Sequence, residues 1–199
     1  MKDETAKKSM FSEDHGRSLF LRHIHGDNQA FSELMKLFQS QIYSFLVRTG
    51  VSESDRDDIF QEIVLKIHKA RAQFDQTRAL FPWIFTIAVN TARSHFKQRG
   101  ELLLAEGDSE ERSNTEADSS QRFEAKETGS WLEHEIRKLN LAEREVIVLC
   151  CIECIDQAEA ANLLGLSLST LKTHLRRARM KLAAAHARRT TLISREVMQ

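Results

Sequence analysis

Ile59, Ile63 and Ile67 stand four residues apart, with Phe60 and Val64 beside them. That spacing puts all five on one stripe of a helix and turns the charged residues between them to the other side. The same period runs upstream through Ala30, Phe31, Leu34, Leu37, Phe38, Ile42, Phe45 and Leu46. Asp27 can cap that first helix, and Gly50 can close it. Ser52, with Asp55 three residues on, is a capping pattern for the isoleucine helix. Pro82 sits where a first helical turn tolerates proline, ahead of Ile84, Ile87, Ala88 and Phe96. Trp131 to Leu139 and Leu141 to Ile155 read as further helices. Among 199 residues there are one proline and seven glycines, no alternating strand pattern of useful length and no internal repeat. The chain is therefore expected to be all-α.

Charge divides the chain. It carries 29 Lys+Arg and 29 Asp+Glu, yet residues 101–130 hold nine acids against three bases, a net charge of −6. From Ala160 to Ser194 there are no acids and seven bases: Lys172, Arg176, Arg177, Arg179, Lys181, Arg188 and Arg189. Such asymmetry points to a polyanion partner for the basic end. Residues 105–129 are rich in Ser, Glu, Asp and Gly and poor in aliphatics, so they bury too little apolar surface to offset the entropy of ordering. The expected plan is two small helical domains, 1–100 and 130–190, joined by a flexible acidic linker over 101–129. No apolar run approaches the ~20 residues that span a bilayer, and the polar N-terminus is no secretory signal. A reducing cytoplasm is the expected compartment.

The basic end has its own architecture. Asp156 can cap a short helix holding Ala158, Ala160, Ala161, Leu163 and Leu164, with Gly165 in the left-handed position that ends it. Ser167 then caps a second helix that is expected to bury Leu168, Leu171, Leu175, Ala178 and Leu182. Two short helices joined by a glycine turn make a helix-turn-helix. Lys172, Thr173, Arg176 and Arg177 fall on or near one exposed face, where they can reach base edges in a major groove, and Arg179 extends the run. Ser167, Ser169, Thr170 and the helix N-terminal amides suit phosphate.

At this point the sequence resembles an extracytoplasmic-function sigma factor, a small two-domain subunit of bacterial RNA polymerase. Asp55-Arg56-Asp57-Asp58-Ile59-Phe60-Gln61-Glu62 is similar to the family's D-x-x-D-hydrophobic-hydrophobic-Q-E signature. Phe74-Asp75 and Trp83 through Asn90 to Arg93 resemble its W-L-x-x-I-A-x-N helix. Leu139 to Val148 resembles the opening of its C-terminal domain, and Leu164-Gly165 through Lys172 to Arg179 resembles its recognition region. The likeness covers most of 27–100 and 130–183. Ser169 stands where the family usually has glycine, Asp156 to Ala161 replaces its usual Ser-Tyr-Glu-Glu-Ile-Ala, and Val89 and Thr86 stand where many members have arginine.

The resemblance implies that Asp58, Gln61 and Glu62 bind the clamp helices of the polymerase β′ subunit, with the β flap as a further contact. Asp58 and Glu62 are four apart and so share a face with Gln61. A carboxylate patch there complements a basic coiled coil. It also implies that Asp75, Thr86, Asn90, Arg93 and Lys97 meet the minus-ten promoter element, and the C-terminal helix-turn-helix the minus-thirty-five element. Promoter DNA and an anti-sigma factor are the other implied partners, with no membrane insertion and nucleoid association in the holoenzyme.

Cys150, Cys151 and Cys154 invite a metal reading, with His134 or His174 completing four ligands; the plainer reading is that they fill the core beside Val146, Ile147 and Leu149. No metal or cofactor is expected. His23 and His25 read as surface residues, and Trp83, Phe85 and Phe96 as core. There is no phosphate-cradling glycine loop, nucleophile elbow or HExxH, so no enzyme is expected. The alternatives are a helix-turn-helix activator that never joins polymerase and a helical protein whose basic face docks on an acidic partner.

Overall fold

The computed structural model describes residues 14–99 and 124–196. Its helices are α1 (residues 14–24), α2 (Asn28–Thr49), α3 (Glu53–Ala70), α4 (Leu80–Gln98), α5 (Glu124–Arg137), α6 (Leu141–Ile147), α7 (Gln157–Leu164) and α8 (Leu168–Glu196). A 3₁₀ turn, Arg71–Gln73, follows α3, and a π turn, Val148–Ile152, follows α6. Among the described residues there is no strand. The chain forms two compact helical units, α1–α4 and α5–α8. The expected linker lies outside the described residues as far as 123; its last stretch is helical, because α5 starts at Glu124 rather than near Trp131.

In the first unit the apolar stripes meet as their spacing requires. Leu34, Phe38, Ile42, Phe45 and Leu46 of α2 are fully or almost fully buried, as are Ile59, Ile63 and Ile67 of α3 and Ile84, Phe85 and Ala88 of α4. Phe45 meets Phe85 edge-on at 5.7 Å, and Phe81 lies 4.5 Å from Phe85. Such pairs add about 0.5–1.5 kcal/mol each beyond the area they bury. Asp27 caps α2 by accepting from the Ala30 amide at 3.0 Å. Ser52 starts α3 differently from expectation: its hydroxyl donates to the Asp55 carboxylate instead of accepting from an amide.

The sequence reading missed α1. Its residues Leu19, Phe20 and His23 are buried, and Gly16 lets the Phe38 ring approach to within 3.1 Å of where a Cβ would stand. His23 is thus a core residue, not a surface one. Its ring stacks on Phe31 at 4.3 Å, and its Nε2 lies 3.1 Å from Nδ1 of His68. Burial pushes the His23 pKa below its ordinary 6.5, and the neighbouring His68 and Arg71 act in the same direction against Asp27.

In the second unit, Leu171, Leu175, Ala178 and Ala185 form the buried seam of α8. Leu168 is exposed and Leu182 half-buried, so the seam begins one turn later than the sequence suggests. Past the π turn the expected continuous helix to Ile155 gives out. Widening the turn keeps Val148 and Leu149 buried and swings Cys151 and Cys154 outward. Glu143, 1% exposed, accepts from Lys181 Nζ at 2.8 Å and ties α6 to α8. Trp131 meets His186 edge-on at 5.8 Å and carries Arg189 over its face at 5.1 Å.

Two outcomes follow from these contacts. A histidine held below its unfolded pKa binds its proton more readily in the unfolded chain, so stability is present near neutrality and lost as pH falls below 6.5. His23→Phe should flatten that slope in urea unfolding of the first unit by up to about 1.4 kcal/mol per pH unit; an unchanged slope would assign it elsewhere. Lys181→Met leaves a buried carboxylate without its cation and should cost about 1.5–3 kcal/mol, against under about 0.5 kcal/mol for Lys172→Met, both read from urea midpoints.

Candidate nucleic-acid interface

The turn between α7 and α8 places the candidate reading helix. Asp156 accepts from the amides of Ala158 and Glu159 at 2.8 and 3.4 Å. Gly165 adopts φ +67° and donates to the Asn162 carbonyl, while Leu166 donates back to Ala161. This pair of bonds closes α7 and reverses the chain; Leu166 itself is half-buried. Ser167 accepts from the Thr170 amide at 3.1 Å, with the Ser169 and Thr170 hydroxyls each 2.8 Å from its own. Three hydroxyls therefore ring the N-terminus of α8, where unpaired amides favour an anion.

Along α8, Lys172, Thr173, Arg176, Arg177 and Arg179 are all exposed. Lys172, Arg176 and Arg179 follow one another at steps of four and three, so they share a stripe, and Arg177 flanks it. A shallow groove beside the stripe is lined by Gln157, Leu175, Met180 and Ala183 as well. The sequence reading missed Gln157 and the exposed Met180; the signal was that Gln157 opens α7 directly behind its cap. Thr173 turns its hydroxyl back to the Ser169 carbonyl at 3.0 Å, leaving its methyl group and an acceptor outward. Arg179 donates from Nη2 to Cys151 Sγ at 3.4 Å.

On α4, Thr86, Asn90, Arg93 and Lys97 recur at steps of four, three and four and so line one face. Asn90 and Lys97 are exposed, and Thr86 and Arg93 half-buried. The Thr86 hydroxyl donates to the Pro82 carbonyl at 2.9 Å. Asp75 stands apart from them, exposed in the loop before α4. Its carboxylate accepts from the Thr77 hydroxyl and amide at 2.7 and 2.9 Å, and these bonds hold its pKa below the usual range. It shapes its own loop. Phe85 and Phe96 are core, as expected, and Trp83 is half-buried against Phe20 and Phe74.

The acidic start of α3 divides in two. Asp57 accepts from the Tyr43 hydroxyl and Asp55 faces His95 at 3.3 Å, both within the unit. Asp58, Gln61 and Glu62 turn outward. Glu62 pairs with Lys66 at 2.7 Å, an exposed contact worth only about 0.3–0.5 kcal/mol, so a partner can displace it. Leu65, 56% exposed, joins this face. Its position off the isoleucine stripe was the available signal. Among the described residues no three or more His, Cys, Asp or Glu side chains gather to hold a metal, and no helix is long and apolar enough to cross a membrane.

Two family patterns match the chain: Sigma-70 region 2 over residues 34–101 and Sigma-70 region 4 over 130–182. The RNA polymerase sigma factor CnrH of Cupriavidus metallidurans is 31% identical over 187 residues, 88% of this chain and 96% of that one. The chain belongs to the extracytoplasmic-function sigma factors. The sigma-E factor of Escherichia coli is 28% identical over 170 residues, covering 77% of this chain and 85% of that one. Among solved structures, CnrH in complex with the cytosolic domain of CnrY superposes with a TM-score of 0.62 at 28% identity, over 87% of this chain and 97% of that one. As an alternative sigma factor the protein binds core RNA polymerase and promoter DNA and directs transcription initiation.

The geometry separates two kinds of lysine on α8. Lys172→Ala should reduce the slope of log affinity against log salt for promoter binding by about one. Should Lys172→Ala leave that slope intact when measured on holoenzyme, this lysine is not a phosphate contact.

Proposed function

We propose that the labour divides by unit and by face. Asp58, Gln61 and Glu62 of α3 grip the β′ clamp helices. Thr86, Asn90, Arg93 and Lys97 of α4, with the Asp75 loop, meet the minus-ten element as its strands part. The α8 face reads the minus-thirty-five element as duplex: Arg176 and Arg177 reach base edges, and Ser167, Ser169, Thr170 and Lys172 hold phosphates. Residues 1–100 act as the region 2 domain, 130–190 as the region 4 domain, and 101–129 as the acidic tether. The observation that carries this reading is the pairing in one chain of an outward acid-amide face on α3 with an outward basic face on a capped reading helix.

Asn90 suits a base edge because its amide both donates and accepts. The protein carries no reaction of its own and works in the cytoplasm, on the nucleoid once polymerase is bound. An anti-sigma factor is the proposed regulator. Its support is that CnrH was solved with the cytosolic domain of CnrY and that the sigma factor RpoE of Bartonella quintana was solved with the anti-sigma factor NepR.

Transcription by core polymerase on a promoter library tests the whole. Glu62→Lys should weaken core binding without altering the promoter preference of the complexes that form. Arg176→Ala and Arg177→Ala should each cost about 1–3 kcal/mol on the preferred minus-thirty-five sequence. Equal loss on every sequence would reassign these arginines to phosphate. No initiation from any promoter, with duplex binding retained, would favour an activator that stays outside polymerase.

A further inference from the structure

Two of the three cysteines are not core residues. Cys151 and Cys154 are exposed, one in the π turn and one just after it, and only Cys150 is partly buried. Cys154 holds φ +56°, a left-handed backbone that a side-chain-bearing residue rarely adopts. The widened turn and this residue together bring two accessible sulfurs to one short corner, three positions apart. Arg179 reaches back from the outer face of α8 to donate to Cys151 Sγ. The third thiol is chemically separate: burial pushes Cys150 up to about 11, which keeps it protonated and unreactive.

We propose that Cys151 and Cys154 are a peroxide-responsive thiol pair, coupled through Arg179 to the DNA-facing side of α8. The Cys151 sulfur attacks one oxygen of hydrogen peroxide. The O–O bond breaks, an S–O bond forms, and one water leaves, giving the sulfenic acid. The guanidinium that donates to Sγ in the reduced protein is in place to hold the new oxygen. The Cys154 sulfur then displaces that oxygen as a second water and closes the disulfide. In sum two thiols lose two electrons and two protons, and the peroxide takes them up as two waters.

Cys154 stands outside the helix, with a left-handed backbone and two residues between it and Cys151, so reaching the ~3.8 Å Cβ separation of a disulfide asks only for a local adjustment of the corner. Closing the bond turns the Cys151 side chain towards Cys154 at the expense of its contact with Arg179. The arginine loses the contact that orients it. Because this consequence rests on reading the α8 face as the DNA contact, oxidised protein initiates less well and reduction restores it.

The test uses the full-length chain, treated with hydrogen peroxide, freed of it, alkylated and mapped by peptide mass. One disulfide joining Cys151 to Cys154 is expected, with Cys150 still free to alkylate under denaturing conditions. In Cys154→Ser the sulfenic acid at Cys151 should persist and be captured by dimedone. Arg179→Gln should slow Cys151 oxidation several-fold. Oxidation first at Cys150, or an Arg179→Gln rate equal to wild type, overturns the proposal. The same oxidised protein, added to core polymerase, should give several-fold less transcript until dithiothreitol is supplied, while Cys154→Ser, which keeps the Cys151–Arg179 contact and cannot close the disulfide, transcribes normally with or without peroxide. Full transcription by the disulfide form overturns the coupling. Failure of the reduced wild type to initiate at all would instead strike the sigma reading, since the mass mapping does not depend on it.

Discussion

The orientation of α8 depends on the turn at Gly165. Its left-handed backbone lets the amides of Gly165 and Leu166 satisfy the last carbonyls of α7 while the chain reverses. Nothing crowds the place where a side chain would stand, so the constraint is the backbone angle itself. With that corner set, Leu171, Leu175 and Ala178 fall inward on the seam, and the basic residues between them have nowhere to go but outward. Glu143 fixes the rotation from the other end, because a carboxylate that is 1% exposed must keep Lys181 on its side of the helix. A corner and an ion pair thus define which face of α8 is left outward.

The same logic explains why the two units differ in what they offer. In the first unit, acids near the start of α3 serve two masters. Asp55 and Asp57 are drawn to His95 and Tyr43, and the hydroxyl of Tyr43 has its pKa raised chiefly by its bond to Asp57. Asp58 and Glu62 make neither contact and stay exposed, although Asp55 lies on their side of the helix. The neighbours that α2 and α4 supply, not composition, separate structural acids from those a partner can reach.

Much of this was legible beforehand because periodicity and caps are local. The stripes of α2, α3 and α4, the Asp156 cap, the Gly165 turn and the Ser167 cap are each written within a few residues. The rest needed distant contacts. Residues 14–24 carry Leu19, Phe20, Leu21 and Ile24, but crowded into the second half; α1 holds through Phe20 against Phe74 and Trp83, and through a histidine buried against another 45 positions on. The π turn was invisible because the run from Val146 to Cys151 satisfies an ordinary helix equally well. Asp75 was recognisable as a loop residue, but its commitment to Thr77 depends on a turn that the residue types alone do not specify.

Counting charge by sequence therefore overstates the cationic surface. Seven bases lie between Ala160 and Ser194, but they are not equivalent. Lys181 neutralises a buried acid, whereas Arg189 over an indole and Arg179 beside a sulfur are oriented by their contacts and keep their charge. Lys172 follows directly on the turn that carries the three hydroxyls, and Arg176 and Arg177 stand about one turn further on. The helix dipole and the hydroxyls thus favour an anion at the start of α8, and the side-chain cations extend that preference along the helix. The seam leaves positive charge outward on the start of α8, instead of spread evenly along its 29 residues, and on that asymmetry in an electrically neutral chain the proposed duplex contact rests.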